Sequence, residues 1–340
     1  MKDVYVIRPI AIFLLVVWHS FIVYAGGWSE PAGFQSIEVY WWLGKFSYSF
    51  MLELFVFISG YVFGLTLEKK KPTFKHLLEN KFRRLIIPSI VFSTIYYFIF
   101  HNMGDFTIIG CFWNILGGCG HMWFLPMLFW VTLMAFVLDS IRLLSKVKLV
   151  GVFCLPVLSL LPFPLELSSA MYYLPFFYTG ILIYRNYDEI IRYIYRRKVI
   201  FLLLLLFVVM FICTTLISRN FLSIYLDSEK LLYKGLAALC GKYLRILCAV
   251  SGVALVYSLI NYIIVIKNTI IPQWIVDLNR TCFGVYLYQQ FILLILYYKT
   301  SLPGLVGPYW LPWVGLSVTL ILSFVLTKLC LKSKIGRQLI

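Results

Sequence analysis

Charge is what this chain has least of: Asp, Glu, Lys and Arg make up 13% of its 340 residues, where soluble domains carry about a quarter. Acidic groups are the scarcer kind, 14 against 30 basic ones. No hydrophilic stretch is long enough for an independent soluble domain, so residues 1–340 read as one membrane-embedded unit. Four histidines (19, 76, 101 and 121) form no plausible ligand cluster, so neither a metal nor a permanently bound cofactor is expected. There is no GxSxG elbow, P-loop, dinucleotide fingerprint or HExxH helix, which excludes ATP-driven and metal-hydrolase chemistries. No internal repeat stands out, which counts against transporters built from duplicated halves. The eight cysteines contain no CxxC pair and sit mostly in apolar surroundings, where they read as small hydrophobes; Cys111 and Cys119 share one loop, so a disulfide between them stays open. Residues 1–25 lack a small-residue cleavage site, so their apolar block reads as a retained first span.

What the chain has is hydrocarbon, 62% of it, in long blocks. Ten spans are expected, near 9–25, 46–67, 85–100, 122–138, 149–165, 171–184, 199–217, 243–266, 283–298 and 309–327, each approaching the ~20 residues needed to cross a bilayer. The sixth is short, and Pro156, Pro162 and Pro164 interrupt the fifth. The fold class is all-α and polytopic. If the connections alternate sides, one set (the N-terminus, 68–84, 139–148, 185–198, 267–282 and the C-terminus) holds 23 Lys and Arg. The other holds Lys45, Arg219, Lys230, Lys234 and Lys299. The positive-inside bias then puts both termini in the cytoplasm. The net charge of +16 is therefore a topology signal with some attraction to anionic membrane lipid, and nucleic acid is not expected as a partner.

Against this background ionisable groups inside the spans stand out, because they are costly there and mark function by default. Arg8 and His19 are eleven residues apart, about three helical turns, and share a face roughly 16 Å apart along the axis. A neutral imidazole can take and return a hydroxyl proton. Glu53, on the second span at similar depth, needs a partner; it would either orient His19 or hydrogen-bond a hydroxyl or tyrosine. Arg8 suits phosphate, or is a snorkelling anchor. The basic run 68–84 (Lys69, Lys70, Lys71, Lys75, Lys81, Arg83, Arg84) could hold a phosphorylated ligand or simply anchor the topology. Lys242 and Arg245 open the eighth apolar stretch on the external side, where they either grip an anion or snorkel. His121 and Trp123 begin the fourth helix and either line a sugar site or sit at the interface. Gly110, Gly117, Gly118 and Gly120 make segment 101–121 a candidate re-entrant or lid-like loop.

Together the segments resemble the acyltransferase 3 family of membrane acyltransferases. Arg8 and His19 are similar to its N-terminal Arg–His pair. Glu53-Leu-Phe-Val-Phe-Ile-Ser59-Gly60-Tyr61 resembles its acidic, double-aromatic, Ser-Gly-aromatic stretch, with Glu where Asp is usual. Lys81-Phe-Arg-Arg84-Leu-Ile-Ile-Pro88 and His121-Met-Trp123-Phe-Leu match two further segments. Asn279-Arg280-Thr-Cys-Phe-Gly284-Val-Tyr286-Leu-Tyr-Gln289 resembles a late one, with Gln289 where many members have His.

The resemblance implies transfer of an acyl group, usually acetyl from acetyl-CoA, to a hydroxyl of a cell-surface or lipid-linked glycan. A bacterial inner membrane is the expected location. Arg8, Lys81, Arg84 and Arg280 would hold the CoA phosphates. His19, oriented by Glu53, would act as base or acyl acceptor. Ser59 and Tyr61 would bond the thioester oxygen or the sugar, while His121 and Trp123 line the sugar site. The rivals are another membrane acyltransferase type, a sugar-lipid transporter or flippase, and, because of Gln289, a non-catalytic member. Oligomeric state is not legible.

Overall fold

Apolar sequence in a bilayer can satisfy its backbone only within helices or closed barrels, and this chain takes the helical solution. A computed structural model describes residues 2–100, 107–194, 196–226, 230–266 and 269–339. No strand occurs among them, and eight helical stretches are long and apolar enough to cross a membrane. The chain is an all-α polytopic membrane protein.

The first half comprises α1 (Lys2–Phe21), α2 (Glu38–Tyr48), α3 (Met51–Lys70), α4 (Phe74–Lys81), α5 (Ile87–Phe100), α6 (Ile108–Gly117) and α7 (Phe124–Ser140). Helix α3 stops at Lys71, which is left-handed (φ 43°) just before Pro72. A π-turn over Phe82–Ile86 joins α4 to α5 ahead of Pro88, whose missing N–H leaves a gap in the helical ladder. Helix α6 does not re-enter the bundle: Ile108, Ile109, Phe112 and Trp113 are all exposed on its surface. Residues 101–106, including His101, fall outside the described residues. All eight cysteines are free thiols, Cys111 and Cys119 included.

The second half comprises α8 (Ser145–Cys154), α9 (Leu167–Arg185), α10 (Tyr187–Ile194), α11 (Arg197–Ile217), α12 (Ser223–Leu226), α13 (Leu231–Asn261), α14 (Gln273–Tyr298), α15 (Leu302–Cys330) and α16 (Lys334–Leu339). The segments expected as fifth and sixth spans are not among the eight long apolar helices. The fifth breaks where Pro156 removes a donor, continuing as a 3-10 helix over Leu155–Leu160. At 1.5 and 2.0 Å per residue, α8 plus this stretched piece covers about 27 Å. Its ends are fixed by Lys148, which donates to the Asp139 carbonyl (3.1 Å), and by Ser159, whose hydroxyl accepts from Lys242 (2.7 Å).

Two helices begin earlier than their hydropathy suggested. Helix α13 starts at Leu231, roughly three turns before Lys242. Helix α14 starts at Gln273, so Arg280 and Gln289 stand on one continuous helix. Packing follows small residues. A Cβ on Gly60 would collide with the Phe177 carbonyl, and one on Gly180 with the Phe57 carbonyl, so α3 and α9 meet backbone to backbone. Similarly, Gly284 of α14 receives the Thr327 side chain of α15. The centre is α1, α3, α7, α9 and α14, while α11 is peripheral, with Phe207 its one buried residue.

Both chain ends meet at one end of the bundle, where Arg8, Arg337 and Gln338 line a common cavity. Basic connections gather there too: Arg185 holds Asp139 (2.6 Å), and Tyr184 donates to Glu68 (2.7 Å). Lys45, Arg219 and Lys242 line a cavity at the other end.

Candidate active site

Helices α1 and α14 run side by side in the same direction, each with an arginine low on it and a polar group higher up. On α1 these are Arg8 and His19, and on α14 Arg280 and Gln289. Lys81 and Arg84 are three residues apart and so share a face of the α4–α5 stretch. All four cations line one cavity of about 510 Å³. Arg337 of α16 is a fifth cation there, invisible in sequence because nothing links a C-terminal arginine to the first span. Arg280 has Asp277 at 3.8 Å. Arg8, Lys81 and Arg84 have no carboxylate within ion-pair distance among the described residues.

Ser59 lines the same cavity, its hydroxyl bonded back to the Phe55 carbonyl (2.9 Å). Tyr61 does not join it. Two positions along α3 it faces the opposite way, its ring against Tyr184 and Tyr257. The Ser-Gly-Tyr string thus divides into a cavity residue, a packing glycine and a residue of a separate aromatic cluster.

Phe124 and Tyr286 also line the cavity. Tyr286 donates to the His121 carbonyl, and its ring lies 5.2 Å from the His121 ring. The His19 ring is next, 6.3 Å from His121 and 5.8 Å from Trp28, which covers it. Both histidines are almost wholly buried. His121 Nε2 meets the Leu287 carbonyl at 3.2 Å, while neither histidine's Nδ1 has a protein partner. Gln289 abuts His19 with no exposure at all, and both ends of its carboxamide lack a hydrogen bond. Gln290 donates to the Tyr96 hydroxyl (3.2 Å) but leaves its own oxygen unpaired, as does Asn279 on the cavity wall. Buried polar groups are normally bonded, and unpaired ones call for an explanation; here Gln289 lies beside His19 and Gln290 beside His121, while Asn279 stands about 15 Å lower on α14 at the cavity wall.

Glu53 does not reach His19, and the two share no hydrogen bond or ion pair among the described residues. The chain breaks its helix at Phe50, so Glu53 falls in the first turn of α3, facing α9 and α13 rather than α1. There Arg245 Nε lies 3.4 Å from its carboxylate and Tyr172 donates at 3.3 Å. The Arg245 guanidinium stacks 4.3 Å over Tyr48, which in turn stacks 4.3 Å on Trp18. His19 and Glu53 therefore sit on two sides of an aromatic wall. Trp123 stands beyond His121 with its ring 6.2 Å from Tyr173, partly exposed. Sequence patterning did not single out Gln290 and Trp28, since polar and aromatic residues recur throughout this chain, and it held Tyr286 only as one residue of the late motif.

In chemical terms, a cationic mouth, with Asp277 beside Arg280, adjoins through Tyr286 two buried imidazoles, each beside an amide with an unpaired atom. Among the described residues, no three His, Cys, Asp or Glu side chains converge as a metal-ligand set. A family model described as an acyltransferase domain matches residues 2–329. No curated protein and no solved structure matches the chain.

Proposed function

Since the chain belongs to that acyltransferase family over nearly its whole length, we propose that this integral membrane acyltransferase moves an acetyl group from acetyl-CoA to a hydroxyl of a cell-surface or lipid-linked glycan. Arg8, Lys81, Arg84 and Arg280 would hold the CoA phosphates, a task for clustered cations. The observation that carries this reading is the single cavity lined by all four, leading to Tyr286 beside His121. Arg8 and His19 stand about 16 Å apart, a separation that a pantetheine arm can span.

His19 would take the proton of the acceptor hydroxyl while that oxygen attacks the thioester carbonyl. The carbon–sulfur bond then breaks, and the departing CoA thiolate receives the proton back from the imidazolium. Gln289 would steady the thioester oxygen through its free amide donors, and Ser59 would line the arm's path. Glu53 would hold Arg245 and take no direct part in the transfer. In this reading both termini face the cytoplasm, where acetyl-CoA is found, and the membrane is a bacterial inner membrane. Trp123 would offer its ring to the sugar.

Purified protein given labelled acetyl-CoA and extracted membrane glycans should yield labelled glycan. The His19→Ala variant should lose that product while still inserting and binding CoA. Normal turnover by that variant at equal expression would remove His19 from the reaction.

A further inference from the structure

A second group of cations, at the end of the bundle away from the termini, takes no part in the reaction above. Lys45 of α2, Lys242 and Arg245 of α13 and Arg219 beyond α11 line a cavity of about 470 Å³. Arg219 is neutralised by Glu38 at 2.5 Å. Arg245 is offset by the fully buried Glu53, yet its Nη2 has no partner. Lys45 donates to the Ala25 carbonyl (3.4 Å) and lies 5.5 Å over the Trp41 ring, and Lys242 donates to the hydroxyl and carbonyl of Ser159 (2.7 and 3.3 Å) and lies 5.6 Å over the Tyr172 ring; neither has a carboxylate within ion-pair distance among the described residues. Arg245 is near enough to both lysines for their charges to repel. Three cations face one carboxylate, leaving an excess of two positive charges in a setting where water screens poorly.

The remaining wall is amphiphilic. Thr214, Thr215 and Ser218 offer hydroxyl donors, while Phe211, Leu222 and Leu226 offer hydrocarbon. One side is α11, whose Phe201, Leu205 and Val209 are exposed where lipid lies. A phosphate monoester carries about 1.5 to 2 negative charges, which matches the excess; a carboxylate or a phosphodiester carries one and leaves the rest uncompensated.

We propose that this cavity binds the phosphomonoester head of a membrane amphiphile, gripped by Lys45, Lys242 and Arg245, with the first part of its chain lying along α11. The source is either a phospholipid of the phosphatidic acid type or a polyprenyl phosphate; the chemistry is shared. The proposal concerns binding and stands apart from acyl transfer, so it can be tested without CoA.

The test is native mass spectrometry of the full-length protein in detergent, titrated separately with phosphatidic acid, phosphatidylglycerol, phosphatidylcholine, a polyprenyl phosphate and inorganic phosphate. One phosphomonoester lipid should bind more tightly than phosphatidylglycerol, and whichever of the two is tighter identifies the source. Lys45→Gln with Lys242→Gln should weaken it at least about tenfold, as the loss of two charge-assisted contacts demands. Lys81→Gln with Arg84→Gln, at the other end, should leave it unchanged. Thermal melting of each variant reports folding, and Arg245→Gln with Glu53→Gln, which keeps the excess of two charges, should weaken binding by less, through the lost guanidinium contact alone. Undiminished affinity in both site variants would overturn the proposal. So would a loss that follows the Lys81 and Arg84 changes, or equal affinity for inorganic phosphate, which would show a plain ion site.

Discussion

Replacing Arg245 with alanine leaves Glu53 as a carboxylate with no exposure and Tyr172 alone to face it. Stripping one partner from a buried pair costs about 3–5 kcal/mol, because the remaining charge is uncompensated. Arg245 is different: 30% of its side chain is exposed and its guanidinium rests on Tyr48, so removing the carboxylate hurts it less. Glu53→Gln should therefore cost only about 1.5–3 kcal/mol, the scale of one lost charge-assisted bond. The double change Arg245→Ala with Glu53→Gln should recover most of the loss, since the buried group is then neutral. The assay is a double-mutant cycle on thermal unfolding midpoints in detergent, run alongside acyl transfer. Arg245→Ala should melt lowest of the three, and Glu53→Gln should keep transfer within about tenfold of the parent, short of the 10²–10⁴-fold that a lost acid–base partner costs. Additive midpoints would refute the ion-pair account. A collapse of activity in a well-folded Glu53→Gln protein would refute the separation of Glu53 from His19.

At the basic mouth, Lys81→Gln with Arg84→Gln should raise KM for acetyl-CoA by ten-fold or more with little change in kcat, because phosphate contacts bind substrate and transition state alike. That KM should also climb with salt. Gln289→Leu should leave the melting point level or raise it, since neither amide end is bonded to protein. The same change should cut kcat about tenfold or more if the amide steadies the developing charge; unchanged kcat would show that it does not. Gly60→Ala should cost about 1–3 kcal/mol by forcing α3 away from α9, seen as a lower melting point and poorer yield.

The linear pattern carried the architecture because a bilayer leaves so few alternatives. Long apolar blocks had to be helices. It also named four residues of the mouth: Arg8, Lys81, Arg84 and Arg280 are cations beside apolar runs, where they either hold an anion or anchor the topology, and the structure brings them to one cavity. Helix boundaries were less legible. Asn279 and Arg280 read as a connection because hydropathy registers polarity, whereas a helix facing a polar cavity continues through it.

What the order of residues decided, then, is the membrane fold, the family and the presence of an imidazole about three turns from an arginine on one helix. Tertiary structure decided the partners. Counted along the sequence, Glu53 and His19 fall at similar depth, but depth is only one coordinate; azimuth depends on where α3 restarts after Phe50 and on which helices pack beside it. Those contacts hand Glu53 to Arg245 and His19 to Gln289, a choice made by neighbours far apart in the chain.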